Sequence, residues 1–283
     1  MTVRLRHLRL RAETSTGPFG ADIPLDVGLN VLRADNTTGK STCLQGLLYA
    51  LGLERMLSPR REIPLAYVMT SHLDDPGTGQ RHPVLESAVW VELENSAGDV
   101  ITVRRGVVTS TDRKLVSVFN GPLLTQPANH YRQRDYFVLD PGAAHREAGF
   151  HRMLAEFIGW RLPTVRRYDG SETTLYIETI FPLLYVEQKA GWSSLPAAFP
   201  TYFQIRDVGL RIPAQASHLF RSMPAGHSGG CRPPVPAQAG HPTERRMTLD
   251  SPCLGVPSCE PISGGTLWRL SDYPCEPRAR FSV

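Results

Sequence analysis

The stretch from Ala34 to Thr42, ADNTTGKST, carries residue types that can bind phosphate. The general pattern for a phosphate-binding loop is a Gly, any four residues, and then Gly-Lys-Ser or Gly-Lys-Thr. Gly39, Lys40 and Ser41 match this pattern, and Ala34 stands where the first Gly is usual. Since that first position mainly helps the turn and Ala is the smallest residue after Gly, we expect the loop to tolerate the replacement.

In such a loop, successive backbone N–H groups and the open end of the following helix point at one spot and favour negative charge there. Lys40 would reach the β- and γ-phosphates, and Ser41 or Thr42 would ligate Mg²⁺. The predicted ligands are therefore ATP and Mg²⁺. The predicted nucleotide-binding residues are Asp35, Asn36, Thr37, Thr38, Gly39, Lys40, Ser41 and Thr42. The alternative is a chance match on a loop before a core helix.

The residues on either side favour the phosphate-binding reading. The preceding stretch GLNVLRA places Val31 and Leu32 in a short apolar run, which predicts a buried strand. After the loop, apolar residues recur at helical spacing and predict one buried stripe on a helix, with Gly52 as its C-terminal cap. These stripe residues are Leu44, Leu47, Leu48 and Leu51. The predicted order is strand, loop, helix.

The N-terminal stretch VRLRHLRLR alternates apolar and polar residues, but the phase slips at His7. This pattern predicts a strand with a bulge. Its charged row could meet DNA phosphates, although a charge row opposite an apolar row is more typical of a solvated face. The row consists of Arg4, Arg6, Arg9 and Arg11.

Further along, SAVWVELENSAGDVITVRRGVV and KLVSVFNGPLL contain three alternating segments, which predict an antiparallel meander. This argues against small P-loop kinases, which follow the first helix with parallel strands and crossover helices. Arg104 and Arg105 in the second segment could serve a nucleotide or DNA, but we expect them to be paired surface charges. A second helix is predicted from Phe150, Met153, Leu154, Phe157 and Ile158, with Gly159 near its end. Beyond it, the nearly uncharged run from Leu175 to Val186 is expected to be buried.

Together these segments resemble a known family. GLNVLRADNTTGKSTCLQGLLYALGLE is similar to the N-terminal ATPase half of the structural-maintenance-of-chromosomes (SMC) superfamily, the ABC-type ATPases that include SbcC, RecF and RecN. RRYDG, LYIETIFPLLYVEQKAGW and FPTYFQIRDV resemble large bacterial AAA-family ATPases of that kind. The resemblance covers about residues 1–208 and implies an α/β P-loop NTPase half-domain that contains an antiparallel β meander.

Carried over to this sequence, the resemblance implies a catalytic role for Gln188 of VEQK. In the family, the corresponding glutamine touches the Mg²⁺ and the attacking water. A Gln suits that place because its amide oxygen can ligate a hard cation and its amide can orient water without adding charge. Ser41 and Gln188 are therefore the predicted metal ligands. The alternative is that Gln188 is a polar residue at the end of a buried strand.

The family also needs a Walker B strand ending in Asp-Glu and a signature loop, and neither is found in this sequence. Ser263, Gly264 and Gly265 mimic a signature loop, but no apolar strand ending in Asp-Glu follows them. Hydrolysis by this chain alone is therefore not expected. The resemblance implies that a second ATPase half or a partner subunit completes the site.

Residues 209–283 form a second region with eleven Pro and eight Gly and without sustained periodicity, so we expect a disordered tail. Four of the five Cys lie there, without the C-x-x-C pairs typical of zinc sites. A frameshift in GC-rich coding DNA would produce such a change of composition. Translating the other reading frames after codon 208 tests that hypothesis.

Composition narrows the remaining function classes. The N-terminus lacks the apolar core of a signal peptide, and no run of eighteen apolar residues exists, so we expect a cytoplasmic protein without a membrane partner. The net charge of +4 gives no argument for a nucleic-acid partner. The expected function is Mg-ATP binding by a truncated SMC-like ATPase, which in the intact family couples hydrolysis to DNA maintenance or repair. The alternatives are an inactive remnant, and a non-catalytic interaction or DNA-binding module.

Overall fold

The computed structural model describes residues 3–33, 39–56, 65–75, 79–140, 146–186, 204–206 and 245–246. Apart from Arg245 and Arg246, the tail predicted to be disordered lies outside the described residues. The strands are β1 Val3–Thr14, β2 Gly17–Pro24, β3 Leu32–Arg33, β4 His72–Asp74, β5 Arg81–Asn95, β6 Val100–Val108, β7 Leu115–Phe119, β8 Gln133–Phe137, β9 Thr164–Arg166, β10 Glu172–Thr174 and β11 Arg245–Arg246. The helices are α1 Lys40–Ala50, α2 Tyr67–Thr70, α3 Phe150–Ile158 and α4 Ile177–Ile180, with 3-10 turns at Glu54–Met56 and Phe181–Leu183.

The main sheet is antiparallel and runs in the order β2-β1-β5-β6-β7-β8, with β4 paired to the first residues of β5. The hairpins β5-β6-β7 confirm the predicted meander. The register of β1 against β5 shifts between Leu5 and His7, so the predicted bulge is confirmed as well. The chain thus mixes strands and helices around an antiparallel sheet, which is compatible with the predicted α/β class.

The register of the strands shows which side chains lie on the inner face of this sheet. Leu10 pairs with Val89, and Val89 pairs with Arg105, so these three side chains share the inner face. Helix α1 packs on that face, because a Cβ added at Gly46 would lie 3.1 Å from Leu10 and 3.6 Å from Val89. The core between sheet and helices is continuous and includes Tyr49 and Phe150.

Both predicted helices are confirmed, but the buried stripe of α1 is partly wrong. Leu48 and Leu51 are buried as expected, whereas Leu44 is 42% exposed and Leu47 is half-buried. Gly46 and Tyr49 take the inner positions instead. The small Gly46 lets the helix backbone approach the sheet closely, and this rotates Leu44 toward the outside.

A strand does precede the loop as predicted, but its expected burial is wrong. Strand β3 is two residues long, Leu32 is half-buried and Val31 is 39% exposed. Within the part of the chain that the structure describes, its only strand partner is the short parallel β11. A strand is buried on both faces only where neighbouring strands and helices cover it, and the described residues do not supply that cover.

Candidate functional site

The N-terminal end of α1 lies where the sequence predicts the phosphate site. Gly39 is the N-cap and adopts a left-handed conformation, with φ 88° and ψ 8°. Its carbonyl accepts the first helical hydrogen bond from the Cys43 N–H at 3.0 Å. A residue with a Cβ is strained in this conformation, so Gly39 suits a sharp entry from the loop into the helix.

The first turn of α1 has the polarity that an anion needs. In general, the amides of a helix's first turn have no intrahelical acceptor, which is why helix N-termini bind anions. Gly39 has no side chain that could cap the helix, and the first turn of α1 contains no acidic residue. The positive end of the helix dipole is therefore not neutralised by a carboxylate from its own first turn.

The side chains of this turn differ in exposure. Lys40 is the first helical residue and is half-buried, Ser41 is exposed, and Thr42 is 8% exposed. Of the two hydroxyls predicted to ligate Mg²⁺, that of Ser41 is thus the accessible one. Burial raises the pKa of the Cys43 thiol to about 12, so Cys43 is a core residue and not a nucleophile.

The rest of the predicted site lies outside the described residues. This holds for Asp35, Asn36, Thr37 and Thr38 of the loop and for Gln188. The structure consequently brings together only Gly39, Lys40, Ser41 and Thr42 of the predicted site residues.

The C-terminal end of α1 is held by two backbone hydrogen bonds. The Gly52 N–H donates to the Tyr49 carbonyl at 3.0 Å, and the Leu53 N–H donates to the Leu48 carbonyl at 2.8 Å. This is the Schellman pattern, in which the residue after the cap adopts a left-handed conformation. Gly52 has φ 70°, so its predicted role in ending the helix is confirmed.

Arg105, in strand β6 of the main sheet, contacts the same end of α1. Its guanidinium donates to the Tyr49 carbonyl at 2.6 Å and to both carboxylate oxygens of Glu54, at 2.8 and 3.0 Å. It also donates to the Arg113 carbonyl at 3.0 Å and lies 4.1 Å from the centre of the Tyr49 ring. Arg105 is 2% exposed, so its expected place among the surface charges is wrong. Arg104 does pair at the surface, with Glu86 at 3.1 Å.

The sequence contained a signal for the burial of Arg105. Ile101 and Val103 precede it at alternate positions of β6 and face the core, so Arg105 continues the inward phase of the strand. Arg104 belongs to the outward phase. The alternation therefore separates the two arginines, although it does not reveal that Glu54 is the partner.

His151 of α3 contacts α1 at the same end. Its Nε2 lies 3.1 Å from the Leu51 carbonyl, which fits a neutral ring that donates from Nε2. The side chain is buried, and burial lowers the pKa of the His151 imidazole. The contact ties α3 to the end of α1.

The run from Leu175 to Val186 is buried only in its first half. Leu175, Ile177, Glu178 and Ile180 are buried, whereas Leu184 and Val186 are 52% and 78% exposed. The expectation of burial along the whole run is therefore wrong at its end. The run forms α4 and a 3-10 turn, and its hidden carboxyl, Glu178, was not recognised in the sequence.

Between this run and α1 lies an apolar groove of about 190 Å³. Its walls come from β1, α1, β5, α3 and the residues after α4. They include Leu5, Leu47, Leu93, Ile158 and Tyr185. With these apolar walls the groove is unsuited to phosphate, so it is distinct from the helix end that carries Lys40.

The arginine row of β1 is neutralised within the sheet. Arg6 contacts Glu92 at 3.0 Å and Glu94 at 2.9 Å, and Arg9 donates to Asp22 at 2.9 Å. Arg4 and Arg11 pair with Glu94 and Glu13. A DNA-binding surface needs excess positive charge, whereas here each arginine has a carboxylate partner. His7 also contacts Asp22, which gives it a structural role beside the bulge.

The described residues hold no group of three His, Cys, Asp or Glu side chains that could share a metal ion. No helix among them is long and apolar enough to cross a membrane. The sequence matches no model of a known protein family, and no curated protein matches it. The likeness to SMC-type ATPases thus stays a prediction made from the quoted residues.

Proposed function

We propose that this chain binds a Mg²⁺-nucleotide, with ATP as the expected ligand, at the loop 34–42 and the N-terminal end of α1. The observation that carries the proposal is the left-handed Gly39 cap, which starts α1 with Lys40 as its first residue. The Gly-Lys-Ser triplet thus stands at the start of a helix, which supports the proposal.

Each residue of the triplet has a distinct role in the proposed site. The amides of the first turn would donate to phosphate oxygens, and the helix dipole favours the added negative charge. Lys40 would add a full positive charge beside the β- and γ-phosphates. Together they bind and orient the phosphate chain.

The exposed hydroxyl of Ser41 fits a hard cation, because Mg²⁺ takes few protein oxygens and keeps several waters and phosphate oxygens. Bound Mg²⁺ neutralises phosphate charge. Thr42 is buried and is the poorer candidate for a metal ligand. Gln188 is the proposed second protein ligand, on the basis of the family resemblance.

We assign binding, and not turnover, to this chain alone. Positioning the phosphates is only part of phosphoryl-transfer catalysis, which also needs a residue that orients the attacking water and a group that stabilises the developing charge. The sequence lacks the Walker B strand and the signature loop that supply these groups in the family. The resemblance implies that a second ATPase half or a partner subunit supplies them.

Calorimetric titration of the full chain with Mg²⁺-ATP tests the proposal. We expect Lys40→Ala to weaken binding about tenfold to a hundredfold, because a hydrogen bond to a charged group contributes about 1.5–3 kcal/mol. Lys114→Ala is the matched control, since Lys114 pairs with Asp140 at the surface and its loss should leave the affinity unchanged. Equal binding by wild type and Lys40→Ala, or no binding by wild type, would contradict the proposal.

A further inference from the structure

Glu178 is a buried carboxyl in a segment that otherwise packs apolar side chains. It is 4% exposed, and its neighbours Ile177 and Ile180 are fully buried. Its Oε1 is buried and accepts no hydrogen bond from the residues that the structure describes. An ionised carboxylate without a hydrogen-bond donor is costly in such a place, and the neutral acid is far less so.

The charged groups that face Glu178 do not remove this cost. Arg55 and Glu54 of the neighbouring 3-10 turn act on it in opposite directions. Glu54 is already bound on both oxygens by Arg105, and His151 of α3, which lies near Glu54, is neutral in its buried place. Burial raises the pKa of Glu178 to about 8, while Arg55 lowers it and Glu54 raises it.

We propose that Glu178 is a pH-sensing carboxyl, which lets the segment from Leu175 to Val186 stay packed while it is protonated and promotes release of the segment when it is ionised. The packed state binds a proton that the released state gives up, so raising the pH favours release. The inference concerns the packing of this segment and does not depend on the proposed nucleotide site.

The direction and size of the effect follow from proton linkage. Glu178 ionises near pH 4.5 when released and near pH 8 when packed. Between these values the equilibrium constant for release rises about tenfold per pH unit, and above pH 8 it levels off. The stabilising effect of the neutral acid is thus complete below pH 4.5 and is lost as the pH rises toward 8.

Hydrogen exchange of the full chain without nucleotide tests the sensor directly. After correction for intrinsic exchange rates, we expect protection of the peptide covering residues 175–186 to fall about tenfold per pH unit between pH 6 and pH 8. It should also stay lower than the protection of Val89–Leu93 in the central strand, since release is local. Glu178→Gln keeps the shape of the neutral acid and should abolish the pH dependence.

Two further variants complete this experiment. Glu178→Met removes the polar group altogether, and its exchange protection should likewise be independent of pH. This second variant keeps the test valid if Glu178→Gln fails to fold. Glu172→Gln is the matched control, since Glu172 is exposed on β10 and should behave like wild type. A pH-independent wild type, or pH dependence that persists in both Glu178 variants, would overturn the sensor. So would equal protection of residues 175–186 and the central strand.

Discussion

Replacing Arg105 by Met is expected to lower the free energy of unfolding by about 3–5 kcal/mol, because it leaves the Glu54 carboxylate buried without its partner. Glu54 is 7% exposed, and Arg105 supplies a hydrogen bond to each of its oxygens. The substitution also removes the donor to the Tyr49 carbonyl at the end of α1. Urea unfolding followed by circular dichroism measures the loss.

Arg104→Met is the matched control for Arg105→Met. Arg104 is the neighbouring residue of the same strand, but its pair with Glu86 is at the surface, where such a pair contributes about 0–1 kcal/mol. The double variant Arg105→Met/Glu54→Met removes both charges and should recover part of the lost stability. A loss no greater in Arg105→Met than in Arg104→Met would mean that the buried pair does not hold the end of α1.

Replacing Gly52 by Ala is expected to lower the free energy of unfolding by about 3 kcal/mol, from two physical sources. The backbone there has φ 70°, which is strained for a residue with a Cβ. The new Cβ would also lie 2.7 Å from a methyl carbon of Val138 and 2.8 Å from Nε2 of His151. The variant therefore disturbs the contact between His151 and the end of α1.

Gly170→Ala separates these two sources in the same unfolding assay. Gly170 lies in the turn between β9 and β10 with φ 83°, and a Cβ there would meet no heavy atom within 4 Å among the described neighbours. This variant should show only the cost of the strained backbone, about 1 kcal/mol. Equal losses in the two variants would show that the contacts of Gly52 with Val138 and His151 do not matter for stability.

The local elements of this fold were predictable because each depends on residues close together in the chain. Alternation over Ser87–Val108 predicts the hairpin of β5 and β6, and the phase slip at His7 predicts the bulge in β1. Gly52 and Gly159 mark the ends of α1 and α3, since both adopt left-handed conformations that suit Gly. Strong periodicity and glycine caps are local signals, and the structure agrees with both.

The candidate site was predictable only in part. The triplet at Gly39 and the start of α1 follow from the motif and the helical spacing after it. The sequence did not show that Ser41 is exposed while Thr42 is buried, because this depends on how α1 is rotated against the sheet. The loop residues 35–38 and Gln188 stay predictions, since they lie outside the described residues.

The sequence by itself determined that an antiparallel meander and two helices form, and which residue types stand at the start of α1. Only the tertiary structure decided that Arg105 meets Glu54, that Glu178 is buried, and that Leu44 is exposed. The physical reason is that periodicity tells which side of an element a residue faces, but not what covers that side. The cover comes from residues far away in the chain, such as Glu54 for Arg105.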